Sequence, residues 1–143
     1  MHIAFALFAD AANLSQEGKL NILGVFDTLH VAQLPTIHPR ASLVVRVKGT
    51  TADVGSHVLG MSWVNPSGKE VWASQGELGV GTPPPGVVDL DFPLIAAIDL
   101  PLDQPGAYTM RLSIDGEVAT DLPLLVRGSA PVQGARTGPQ LVS

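Results

Sequence analysis

The stretch AYTMRLSIDGEVATDLPLLV, residues 107–126, decides the fold. Tyr108, Met110, Leu112 and Ile114 alternate with Thr109, Arg111 and Ser113, the two-residue period of a strand with one buried face. Asp115 and Gly116 suit the positive φ that a type I′ turn needs at both central positions, so the chain reverses there. It returns with Val118, Thr120, Leu122, Leu124 and Val126 on one face. Pro123, on the other, points to a sheet edge, where a residue without an N–H costs no ladder bond.

Working outward, Pro105, Gly106, Ala107 and Tyr108 followed by strand, Asp-Gly and strand resemble the final hairpin of many immunoglobulin-like domains. In those a Tyr near the start of the penultimate strand anchors the preceding corner through its hydroxyl. A second hairpin is expected where residues 57–64 and 70–74 flank Asn65, Pro66, Ser67 and Gly68, since Pro presets the turn and Gly supplies its positive φ. Leu59, Met61 and Trp63 share a face there, and Trp72 lies on the partner strand. The two indoles serve either as core or as a binding platform.

Residues 42–48 read as a half-buried strand, with Leu43, Val45 and Val47 facing one way and Val44, Arg46 and Lys48 the other. Residues 1–9 read as a strand covered on both sides, with Ile3, Phe5 and Leu7 opposite Ala4, Ala6 and Phe8. Residues 20–31 form a long apolar segment in which Gly24 marks a bulge, and residues 33–40, with Pro35 and Pro39, look too broken for a strand. A long loop is expected over residues 76–86, where Pro83, Pro84 and Pro85 favour a stiff polyproline II segment. The strand at 87–98 sets Val88, Leu90 and Phe92 against Asp89 and Asp91, with a break or bulge at Pro93. No stretch of ten residues carries a helical period. The expected fold is an all-β antiparallel sandwich of about eight strands with immunoglobulin-like topology, a small barrel being the alternative.

With 143 residues, one domain over residues 1–126 and a Gly/Pro-rich tail over 127–143 are expected. The absence of cysteine excludes disulfide scaffolds and thiolate zinc sites. Eight basic against thirteen acidic side chains give a net charge of −5, the wrong sign for binding phosphate backbones, so no nucleic-acid partner is expected. The apolar N-terminus has no basic flank, is interrupted by Asp10 and is too short to span a bilayer. No membrane insertion and a cytoplasmic location follow as expectations, which leaves the sequon at Asn13, Leu14 and Ser15 idle.

The run Gly18, Lys19, Leu20, Asn21, Ile22, Leu23, Gly24, Val25, Phe26 and Asp27, followed by Pro39, Arg40 and an apolar strand, resembles a family of small uncharacterised bacterial proteins, a domain of unknown function. The resemblance extends over about residues 3–126. It implies a bacterial origin and a β-sandwich, and no known chemistry.

Enzymatic motifs are missing. There is no G-x-S-x-G, and Ser62 and Ser74 lie inside expected strands without a nearby His or Asp partner. His2, His30, His38 and His57 show no metal-ligand spacing and read as surface or loop-end residues. Asp89 and Asp91 share a strand face that alternation already explains as solvated, although a calcium site or an acid pair would use such a pair. Arg40, Arg46 and Lys48, the one basic cluster, likewise read as a solvated face before an anion site. No catalytic residue, metal or cofactor is assigned. Gly79, Gly81, Pro83, Pro84 and Pro85 stand as a candidate ligand loop; without a Lys or a following helix they make no phosphate cradle.

Charged residues are only 15% of the chain, against about 25% in an average soluble domain. A subunit that buries one face in a neighbour needs fewer charges than a monomer. Leu23, Val25, Leu29 and Val31, opposite Leu20, Ile22 and Phe26, are the candidate contact residues. Leu141 and Val142 at the end of the tail are candidates to lie on a neighbouring chain or to extend an open sheet edge. The expected function is therefore non-enzymatic, as a subunit of a homo-oligomer or larger assembly, with small-molecule or peptide binding at the 76–86 loop as the alternative.

Overall fold

The computed structural model describes residues 1–128, which build two packed β-sheets. The strands are β1 (His2–Leu14), β2 (Leu20–Phe26), β3 (Thr28–His30), β4 (Thr36–Thr50), β5 (Gly55–Val64), β6 (Glu70–Val80), β7 (Asp89–Leu102), β8 (Gly106–Ile114) and β9 (Glu117–Arg127). One sheet runs β2-β1-β4-β7 and the other β3-β9-β8-β5-β6. All pairings are antiparallel except that of β3 with β9. The fold is thus an all-β sandwich, not a closed barrel, with nine strands among the described residues where eight were expected. Strands β5, β8 and β9 lie side by side as C, F and G do in immunoglobulin-like domains.

Trp63, Tyr108, Phe8 and Met110 are fully buried between the sheets. Trp63 stacks on Tyr108 at 5.0 Å between ring centroids and meets Phe8 edge-on at 6.1 Å. Such ring pairs add about 0.5–1.5 kcal/mol each beyond their buried area. The indole N–H of Trp63 donates to the Pro101 carbonyl at 2.9 Å, which satisfies the one polar atom the ring buries. Trp72 lies opposite Trp63 in register and packs half-buried against the same core.

The deciding hairpin forms as read. Tyr108, Met110, Leu112 and Ile114 face inward, and Asp115 and Gly116 take φ of 52° and 84°. Pro123 lies where β9 has only β8 beside it, because β3 reaches no further than Leu125. One detail differs: the register slips after Leu112 so that Ser113 faces Val118, leaving Ala119 as an extra residue. The slip turns Val118 out of the core, and it is exposed.

Other differences share that cause. In β1 the register shifts between Ile3 and Phe5, so Ile3, Ala6 and Phe8 all reach the core while Phe5, Leu7 and Ala9 face outward. Residues 36–40 are strand after all: β4 begins at Thr36, and a bulge between His38 and Ala41 absorbs Pro39 and Arg40, whose φ is 53°. Neither Gly24 nor Pro93 marks a bulge, since the register of each strand runs unbroken past it. Pro93 is tolerated because β7 is an edge strand. The loop after β6 is shorter than expected because Gly76 and Gly79 lie inside β6. A β-turn follows the prolines: the Val87 N–H donates to the Pro84 carbonyl at 3.2 Å, with Gly86 at φ 89°.

Candidate interaction surface

The two outer faces of the sandwich differ in chemistry. Because Leu43, Val45 and Val47 fill the core, Val44 faces outward on β4, in register with Leu7 on β1 and Ile95 on β7. The next rows hold Ala9 between Val25 and Ser42, then Ala11 beside Leu23. Val44 and Ala9 are buried, Phe5, Leu7 and Ile95 half-buried, and Leu23 and Val25 are 70% and 61% exposed. Asn13 and Asn21 close one end of this apolar strip, the Asn21 amide donating to the Asn13 carbonyl at 2.9 Å. Arg46 closes the other, donating from Nε to Asp91 at 2.9 Å and from Nη2 as well. On the five-stranded sheet the outward row at Ser62 is polar, although Val58 and Val118 are also exposed there. Ser62 faces Arg111 there, and Arg111 donates to Asp121 at 3.0 Å.

Of the four apolar residues singled out on the 20–31 segment, the structure separates two from two. Leu23 and Val25 lie on the outer face, whereas Leu29 and Val31 pack against the core. The reason is Asp27, where the chain leaves one sheet for the other and the inward parity resets. Leu141 and Val142 lie outside the described residues. Phe5, Leu7, Val44 and Ile95, absent from the sequence-based set, join this face. Alternation already sets Phe5 and Leu7 opposite Phe8; what the bulge in β1 does is part Ile3 from them and turn it to the core.

The candidate ligand loop is divided: Gly79 sits in β6 opposite Ser56, while Gly81, Pro83, Pro84 and Pro85 belong to the crossing from β6 to β7. Trp63 belongs to the core and Trp72 packs half-buried against it.

Polar clusters hold corners together. The Tyr108 hydroxyl accepts from the Asp103 and Gln104 N–H groups at 2.7 and 3.1 Å and donates to the Asp103 carboxylate. That bond from Tyr108 holds the Asp103 carboxyl below its usual range, while burial first and Asp103 second push the phenol up. Asn65 ties in the β5–β6 turn: its carbonyl accepts from Ser67 and Lys69 N–H groups, and its amide donates to Asp103. At the opposite end His57 sits with Nδ1 at 2.7 Å from the Asp115 carboxylate and Nε2 at 2.6 Å from the Asp53 carbonyl. Asp53 also receives the Met1 ammonium and the Thr50 N–H.

These arrangements bind the protein to itself. The Asp91 carboxylate that a calcium ion would need is engaged by Arg46, whose hydrogen bond holds it below the usual range. Among the described residues no three His, Asp or Glu side chains group as metal ligands. No helix among them is long and apolar enough to cross a membrane. No curated protein matches the chain. The profile of a family of unknown function, DUF6941, matches residues 4–127, almost all of the sandwich, and the chain therefore belongs to that family.

Proposed function

We propose that this protein is a non-enzymatic structural subunit that associates with a second copy of itself through the outer face of the four-stranded sheet. The observation that carries the reading is the pairing of large with small side chains on that face. Leu23 and Val25 stand exposed as a ridge on β2, and Ala11 and Ala9 lie beside them in register as a furrow on β1. A two-fold axis between copies sets each ridge into the partner's furrow, the self-complementarity an isologous contact requires.

Edge pairing is the weaker route. β7 carries Pro93 and Pro101, β3 has three residues, β6 carries Gly76 and Gly79, and β2 carries Gly24 in the left-handed region. Each of these blunts an edge against a foreign strand. The sparse charge fits a chain that covers part of its surface with a partner. A bacterial cytoplasmic setting accompanies the proposal, its bacterial part resting on the resemblance carried by residues 18–27.

Light scattering behind size exclusion at micromolar concentration tests it. The expected species is about twice the chain mass or a higher multiple, reduced to a single chain by Leu23→Lys with Val25→Lys. A wild-type monomer, or a double variant that still associates, overturns the proposal.

A further inference from the structure

The core is not filled along its whole length. Around Trp63 and Tyr108 the sheets close on each other, but between β5 and β7 they leave a cavity of about 150 Å³. Leu43 and Val45 form its floor, Leu94 and Ala96 one wall, and Leu59 and Met61 the other. The space survives because of what stands beside it. On β6, the residues in register with Met61 and Leu59 are Ser74 and Gly76, both exposed, so no large side chain leans in from that strand. Trp72, one step along the same row, performs that closing role next to Trp63. Ala96 opposes Leu43 where a larger residue would occupy the gap.

The chemistry of the lining is uniform. No ionisable side chain borders the cavity. Ser113, the one lining residue with a hydroxyl, has its oxygen against Gly60, whose missing side chain would point away from the core between those of Leu59 and Met61. An apolar cavity of this size has room for a benzene-sized molecule.

We propose that this inter-sheet cavity is a binding site for an uncharged hydrocarbon group of about six carbon atoms, either an aromatic ring or the end of an alkyl chain. Such a group restores the contacts the lining lacks and requires no hydrogen bond from the protein. The site is separate from the Leu23 and Val25 ridge, so the fate of the association proposal does not bear on it.

The test is a titration of the intact protein with benzene and, separately, with 1-hexanol, followed by the methyl resonance of Met61 in protein labelled at the methionine methyls. A saturable shift of Met61 is expected, and Ala96→Phe, which fills the space from β7, is expected to weaken it at least tenfold. Response to benzene alone identifies a ring site, to hexanol alone a chain-end site, and to both a general hydrocarbon site. If Ala96→Phe fails to fold, Ala96→Ile serves the same purpose. Absence of a saturable Met61 shift with both probes, or unchanged binding in the folded filled variant, overturns the proposal.

Discussion

Tyr108 shows how one atom can hold a corner. Its hydroxyl accepts two backbone N–H groups and donates to a carboxylate, so removing it leaves three groups without their partner. Tyr108→Phe is expected to cost about 1–3 kcal/mol in urea unfolding, the range for stranding buried polar groups. The corner was legible because its signal is local: a Tyr at the start of a strand, three residues after Pro105. His57 was not, since its partners lie at Asp53 and Asp115 and only the folded sheet brings Asp115 to it. Both ring nitrogens face acceptors, which requires the imidazolium form to donate twice. The hydrogen bond to Asp115, then that to the Asp53 carbonyl, raises the His57 pKa; the Met1 ammonium, His2 and Glu117 also border the site. Because the folded value lies above the unfolded one, this stabilisation is complete below about pH 6.5 and is lost as the pH rises through the folded value. Asp115, held low by His57, behaves oppositely: its contribution is present above the ordinary carboxylate range and lost on acidification through the folded value. An NMR titration should place the His57 midpoint above 6.5 and show it falling in Asp115→Asn; a wild-type midpoint at or below the free value contradicts the clamp.

At the scale of strands, glycine and proline could be located in the sequence but their roles could not. Gly24 looks like a bulge when read alone. In the sheet it occupies an unbroken register with φ 69°, and a Cβ there would meet the Asp10 side chain across the β1–β2 pair. Two costs therefore attend Gly24→Ala, one from the left-handed backbone and one from Asp10. A loss of about 1–2 kcal/mol is expected by chemical denaturation, smaller in an Asp10→Ala background because the carboxyl clash is gone and the backbone cost and the Cβ contact remain. Equal costs in the two backgrounds would assign the whole effect to φ. The bulges that do exist, in β1 near Ala4, in β4 at Pro39 and Arg40, in β6 at Val71 and in β9 at Ala119, are invisible to alternation because each adds a residue to a pattern that reads acceptably either way. That is why Val118 and Ile3 leave the faces that alternation assigns them.

For the whole molecule, the difference between its two outer faces matters most. A contact made by Leu23 and Val25 against Ala9 and Ala11 is apolar, so the association is expected to change little between 0.05 and 0.5 M salt in light scattering, where a contact between charges would weaken. Sequence alone determined the class: alternation, Pro and Gly punctuation and the 107–126 hairpin specify antiparallel sheets with a Tyr-anchored corner, because these signals act between near neighbours. Tertiary structure alone decided which apolar residues are core and which are surface. Leu29 and Val31 resemble Leu23 and Val25 in every local respect, yet the first two change sheets after Asp27 and are covered. Burial belongs to the stacking of two sheets, and no local period records which side of a strand the second sheet will take.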